Sequence, residues 1–208
     1  SRVFQSATPN FPIFLLIGLV LWQWLSLSIG SSAQAFMGNS AMLKNSVFPR
    51  ELLPIALVLS LTLNFLMEAL LLVFFIPIFP AAFRLSPALL LLPVFGICFV
   101  ALLVGAALVV SVLNVLYRDV AYIVTTGLLL LYWLTPVIYP TSVVPEPYQT
   151  ALKCNPLCGL FNGVRNAIML GEGPTLLGWA GIVVPTALTL VIGVVVFRRY
   201  ERVVLDYV

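Results

Sequence analysis

The sequence predicts an all-α protein, a polytopic bundle of transmembrane helices. Two observations carry that reading. Of its 208 residues, 62% are hydrophobic and 8% charged, whereas a soluble domain has roughly 45–50% apolar and about 25% charged residues. Too few polar residues remain to cover a water-facing surface. The apolar residues also gather into five runs, each close to the about 20 residues a helix needs to cross a hydrocarbon core roughly 30 Å thick.

The five expected spans are residues 11–31, 54–78, 88–113, 120–137 and 176–197. They are continuously apolar and lack the period-two alternation of barrel strands, so they are helices. Many of their residues (Val, Ile, Phe) are modest helix formers in water. Lipid overrides that preference, because backbone groups there must bond within the segment. No internal repeat or low-complexity tract divides residues 1–208, which read as a single membrane domain.

Lys and Arg orient the spans. Lys44 and Arg50 lie between the first and second runs, Arg118 between the third and fourth, and Arg198, Arg199 and Arg202 after the fifth. Arg2, Arg84, Lys153 and Arg165 fall on the other side, spread over longer connections and partly offset by Glu146 and Glu172. The denser set marks the cytoplasm, which places the C-terminus inside. The chain begins at Ser1 without an initiator Met or a signal-peptide pattern. It therefore reads as a fragment that starts outside, and one further span upstream is expected, six in the full protein.

Composition also narrows the function. The net charge of +3 is small and its basic residues form no aromatic-interleaved patch, which argues against nucleic acid. Histidine is absent, and with it the commonest general base and metal ligand. Cys98, Cys154 and Cys158 cannot complete a zinc site of the usual kind. There is no GxxxxGK[ST] loop for ATP and no nucleophile elbow.

Four polar features remain. The first connection, "SSAQAFMGNSAMLKNSVFPREL", places Phe36, Leu43 and Val47 on one face of a helix, with Asn39, Asn45 and Ser46 elsewhere. Such a helix would lie on the membrane surface or against a partner, and would end at Pro49. A solvated loop anchored by Lys44 and Arg50 is the alternative. In "NVLYRDV", Arg118 suits a positive-inside anchor and Asp119 is placed to N-cap the next helix. Docking of a cytoplasmic partner is the second reading there.

Glu68 is the ionisable residue deep inside a span, with Asn64 one turn earlier on the same face. A charge at mid-bilayer costs on the order of 2.5–3.5 kcal/mol on insertion scales. Glu68 should therefore face a substrate path or another subunit, or be protonated and bonded to Asn64 or a neighbouring helix. Finally, residues 134–175 are proline-rich, too apolar for a free loop and too short piecewise to span. Breaks at Pro140, Pro145, Pro147 and Pro156 suggest short re-entrant or interfacial helices on the outer side, with a capping loop as the alternative. Cys154 and Cys158 there form a disulfide or serve as small apolar residues.

Six stretches occur in one order across nearly the whole chain: "FPIFLLIGLVLWQW", "NSAMLKNSVFPRELLPIALVLS", "LNVLYRDVAYIV", "YWLTPVIYPTSVVPEPYQ", "NPLCGLFNGVRNAI" and "FRRYERVVLDYV". Together they resemble the membrane subunit of ABC-2 type transporters, in the branch that exports polysaccharides such as O-antigen, capsule and teichoic acid. Thr135 stands where the family has a serine, and Asn64 where many members are acidic.

The resemblance implies a six-span permease in the bacterial plasma membrane, here without its N-terminal surface helix and first span. It would work as a homodimer served by two copies of a separate ATP-binding subunit. Lys44, Phe48, Pro49, Arg50 and Glu51 would end a coupling helix seated on that ATPase, and Tyr117, Arg118 and Asp119 would make a second contact. Asn64 and Glu68 would line the substrate path or the dimer contact. Pro136, Tyr139, Pro140, Asn155, Pro156 and Arg165 would belong to the outer gate. The chain itself would need no cofactor and no catalytic residue, since ATP and Mg would sit on the partner. A lipid-linked glycan would pass between the two copies. The alternatives are an ABC-2 exporter of a small drug or lipo-oligosaccharide, a membrane-embedded glycosyl- or acyltransferase, and a passive channel.

Overall fold

The computed structural model describes residues 10–39, 49–75, 78–117, 119–145, 147, 149, 152 and 155–207, the side chains of 39, 81, 142 and 202–207 apart. Six α-helices organise them: α1 (Phe11–Ala33), α2 (Leu52–Val73), α3 (Leu92–Leu116), α4 (Val120–Leu134), α5 (Pro156–Arg165) and α6 (Leu176–Tyr207). A 3-10 turn, Pro87–Leu91, leads into α3, and a π-helical turn, Asn166–Leu170, continues α5. No strand occurs among the described residues. Four helical segments are long and apolar enough to cross a bilayer: Phe11–Ala33, Leu52–Val73, Pro87–Leu116 and Leu176–Glu201.

The expected fourth span, 120–137, is shorter than its apolar run. Helix α4 has 15 residues, about 22 Å at 1.5 Å per residue, short of a full crossing. It stops because Pro136 drives the residue before it out of the helical region. Thr135 is accordingly extended, at φ −107° and ψ 138°.

Helices α3 and α6 make the most extensive contact in the bundle. Glycines allow it. A Cβ on Gly105 would lie 2.5 Å from the Thr189 carbonyl oxygen, and one on Gly193 would run into the backbone of Gly105. In lipid there is no hydrophobic drive between helices, so dispersion across such close backbone approaches does the holding.

The other helices join through stacked rings. Trp24 of α1 lies between Phe65 of α2 and Phe99 of α3, with centroids 4.0 and 4.7 Å away. Phe95 of α3 stacks on Trp179 of α6 at 5.1 Å, and Phe161 of α5 meets Phe99 at 6.1 Å.

A second cluster, Phe36, Leu108, Val112, Val115 and Phe197, closes the end of the bundle where α1 and α6 finish. Phe36 was expected on the apolar face of a surface helix. Instead α1 stops at Ala33, a short 3-10 turn covers Met37–Asn39, and Phe36 is fully buried beside Phe197. Residues 40–48, which carry the rest of that expected helix, lie outside the described residues.

Two helices keep open apolar faces. Helix α4 has no buried residue, and α2 buries Pro54 and Val58 alone among its described residues. In a bilayer those faces meet lipid or another helix.

Gly193→Val should lower the thermal stability of the purified protein by about 1–3 kcal/mol through overpacking against Gly105. The same change at Gly181, which has open space around its α-carbon, should cost far less. Equal melting of the two variants would show that the close approach is not what holds α3 to α6.

Candidate functional site

The chain leaves the helical conformation at Thr135 with its backbone still inside the protein, since Thr135, Pro136 and Val137 are all buried. Every carbonyl freed there must find a donor, because an unpaired polar group in an apolar setting costs several kcal/mol. The structure supplies one for each in turn. The Tyr139 hydroxyl donates to the Trp133 carbonyl at 2.8 Å. The Asn155 amide donates to the Leu134 carbonyl at 3.4 Å and to the Thr135 hydroxyl at 3.2 Å. The Val137 N–H returns to the Thr135 carbonyl at 2.7 Å. Arg165 takes the last two, with Nη1 on the Pro136 carbonyl at 2.5 Å and Nη2 on the Val137 carbonyl at 2.6 Å.

Local sequence puts those donors in place. Asn155 is the N-cap of α5, its side-chain oxygen accepting the Leu157 N–H at 3.0 Å, and Pro156 follows at the first helical position. One amide therefore starts α5 and ties it to the end of α4. The hydroxyl of Thr135 is what the tie needs, so Thr in place of Ser keeps the contact. Helix α5 then delivers Arg165 at its last residue.

Arg165 is 2% exposed. Its guanidinium carbon stands 3.7 Å above the centroid of the Phe14 ring on α1, a cation–π contact. Gly18, one turn further along α1, is empty of side chain for a reason: a Cβ there would land on Nη2 of Arg165 and 2.5 Å from the Val137 carbonyl oxygen. Burial pulls the guanidinium pKa down to about 9, against a smaller upward pull from Cys158, so it keeps its charge at neutral pH. Lysine could not replace it, since a point charge cannot serve two carbonyls and a ring face together. Burial also pushes the Cys158 thiol up to about 11. It is a protonated, unbonded small side chain rather than a nucleophile. Cys154 lies outside the described residues.

Five of the six residues expected at the outer gate thus converge: Pro136, Tyr139, Asn155, Pro156 and Arg165. Pro140 flanks them, leading into the 3-10 turn Thr141–Val143. A second clasp joins the connection before α3 to the end of the π-turn. The Arg84 N–H donates to the Ile168 carbonyl at 2.9 Å, and the Ser86 hydroxyl to the Gly171 carbonyl at 3.2 Å. Gly171 sits at φ 72°, a left-handed position that favours glycine.

Among the described residues, one hydrogen-bonded side-chain pair joins two of the spans. Glu68 of α2 accepts a hydrogen bond from the Gln23 amide of α1 at 2.9 Å. Of the two partners expected, Asn64 or a neighbouring helix, the neighbouring helix supplies the donor, and Asn64 is exposed on α2. An amide from another helix is the better donor here, because Asn64 one turn away on the same helix points outward beside Leu63 and Met67, also exposed.

At the opposite end, Lys44, Phe48 and Arg118 lie outside the described residues. Pro49 precedes the turn into α2, and Glu51 at its N-cap is helical and makes no side-chain cap. Arg50 meets Glu201 of α6 at 3.8 Å, half-exposed. Tyr117 and Asp119 are exposed. Asp119 does not cap α4 as expected, since its own backbone is already helical at φ −77°, ψ −9°. Buried Asn114, the last polar residue of α3, does so by accepting the Ala121 N–H at 2.9 Å. No cluster of three potential metal ligands occurs among the described residues.

No family model matches the chain. Among curated proteins it is 28% identical over 206 residues to an O-antigen export system permease protein RfbA of Klebsiella pneumoniae, covering 96% of this chain and 76% of that one. A second permease of that name from Klebsiella pneumoniae is 30% identical over 169 residues, 81% of this chain and 65% of its own length. One from Myxococcus xanthus is 29% identical over 167 residues, covering 78% and 63%. The chain is similar to O-antigen export permeases along most of its length. It spans about two thirds to three quarters of the length of those relatives, and its apolar helices make it an integral membrane protein.

Sequence reasoning did not find Phe14, Gly18, Gln23, Glu201 or the capping role of Asn114. A glycine inside an apolar run is the signal that could have marked Gly18, because small residues in membrane helices sit at close contacts.

Arg165→Lys should lower stability by about 2–4 kcal/mol, since it loses or bends two charge-assisted hydrogen bonds. Tyr139→Phe, which loses one neutral bond, should cost about 1 kcal/mol. Thermal unfolding of the purified protein in mild detergent checks the ranking. Wild-type melting of Arg165→Lys would show that the freed carbonyls are satisfied in some other way.

Proposed function

We propose that the chain is the membrane-spanning part of the permease subunit of an ABC exporter, which moves a lipid-linked polysaccharide of O-antigen type across the bacterial plasma membrane. The observation that carries the reading is the likeness over 96% of the chain to an O-antigen export system permease. The converging outer elements support it. They are built on α5, a helix too short to span, pinned to the outer end of α1 and α4.

In this proposal the Arg50–Glu201 end is cytoplasmic, with the C-terminus inside. Two copies pair, and a separate ATP-binding subunit docks on each copy at Lys44, Phe48, Pro49, Arg50, Glu51, Tyr117, Arg118 and Asp119. ATP, with Mg, closes the partner subunits and biases the dimer between closed and open forms. The exposed polar edge of Asn64 and the Gln23–Glu68 pair meet the second copy or the glycan path, since neither suits acyl chains. The outer elements held by Arg165, Asn155 and Tyr139 gate the far side. No bond in the glycan is made or broken on this chain.

Two measurements test it. Cells lacking the protein should lose surface polysaccharide and accumulate lipid-linked glycan inside, with both restored by the full-length protein. In the restored strain, Arg50→Ala and Arg118→Ala should insert normally, keep ATP hydrolysis and lose most export. Glu201→Gln separates the roles of Arg50: a docking residue predicts near-normal export in that variant, whereas a residue that only anchors α6 predicts equal loss. Unchanged surface glycan in the deletion would contradict the proposal.

A further inference from the structure

Between α1, α2 and α3 lies a cavity of about 510 Å³. It reaches from the connection before α3, where Phe83, Arg84 and Leu85 line it, to the rings of Trp24, Phe65 and Phe99 in the middle of their helices. Along α2 its lining runs from Phe65 to Val73, eight residues or about 12 Å of helix rise. That depth is close to the half-thickness, about 15 Å, of a hydrocarbon core. Leu85, 94% exposed, and Val73, 53% exposed, stand at the shallow end, so the cavity opens there to its surroundings.

Arg84 is the one charged residue among those that line it. Its backbone is held by the bond from its N–H to the Ile168 carbonyl at 2.9 Å, and Nη1 lies 3.5 Å from the Leu170 carbonyl. No carboxylate lies within ion-pair distance of it among the described residues. The guanidinium therefore has most of its donors to offer at the mouth of an otherwise apolar slot one leaflet deep. We propose that this cavity binds a glycerophospholipid of the surrounding bilayer, one acyl chain lying against Trp24 and Phe65 and the phosphate paired with Arg84. Depth and charge choose this occupant. A slot of one half-bilayer fits a single acyl chain, and a guanidinium at its mouth matches a phosphate, with the fork geometry that favours two parallel hydrogen bonds. That the leaflet is the outer one rests on the proposed topology, whereas the binding itself does not.

Trp24 reports on the slot, since it lines the cavity; it also lines an open groove with Thr62, Ile97 and Val100, so dependence of the quenching on Arg84 is what assigns it to the slot. The test uses full-length protein in nanodiscs with Trp22, Trp133 and Trp179 changed to Phe, and any tryptophan outside residues 1–208 likewise. Phosphatidylglycerol brominated on its acyl chain is titrated in. Trp24 fluorescence should be quenched, and Arg84→Gln, a change at an exposed residue, should shift the half-quenching fraction up by about tenfold. Gly96→Leu, which fills the slot, should abolish quenching. Absence of quenching with Arg84 in place would overturn the proposal, and quenching unchanged in Arg84→Gln would overturn its phosphate contact. Quenching by brominated polyprenyl phosphate but not by the phospholipid would assign the slot to a carrier lipid instead. None of these outcomes depends on export, so the lipid site and the exporter reading can fail separately.

Discussion

The structure depends on what happens to five consecutive carbonyls, those of residues 133–137, where α4 ends inside the protein. A helix satisfies its backbone by itself, but Pro136 removes that option and lipid offers no replacement. The donors come from Tyr139, from Asn155, from the N–H of Val137 and from both ends of the Arg165 fork. Once Arg165 is committed to two of them, much else is fixed. Its charge requires an aromatic face, which Phe14 presents, and its bulk requires a glycine at position 18. The short helix α5 must begin where Asn155 can reach back to Thr135.

That arrangement joins parts of the chain that the bilayer would otherwise leave separate. Helices α3 and α6 hold each other through the facing glycines 105 and 193, and α1, α2 and α3 through the ring stack at Trp24. Helix α4 packs more lightly: Tyr132 meets the edge of Trp22 of α1 at 5.2 Å, and none of its residues is fully buried. Its secure attachments are at its two ends, Asn114 at one and the Arg165 cluster at the other.

Much of this was legible in the sequence. Apolar runs placed the start of each long helix to within four residues, but α2 stops at Val73, five short of the expected end, and α6 runs on ten residues past 197, where the sequence turns polar. Pro136 marked the end of α4, although a purely apolar count carries the fourth span on to Val137. The motif-like residues Tyr139, Asn155 and Arg165 were marked out, but their shared purpose was not. Asn155 and Arg165 meet carbonyls 21 to 29 residues away, and no spacing rule predicts which backbone groups a fold leaves unpaired. The same limit applies to Gln23, 45 residues from Glu68, and to Glu201 opposite Arg50. Asp119 shows a different failure: it has the right chemistry for a cap, but the backbone turns one residue too early for it to serve.

The chain's similarity to O-antigen export permeases is what the proposed exporter rests on. The most direct measurement is to extract the full-length protein gently from its native membrane and determine the mass and composition of what comes with it. The account predicts two copies bound to two copies of an ATP-binding subunit, with glycan-bearing lipid in the same particle. A protein that emerges alone, without an ATPase, from a membrane that still displays its polysaccharide would contradict it.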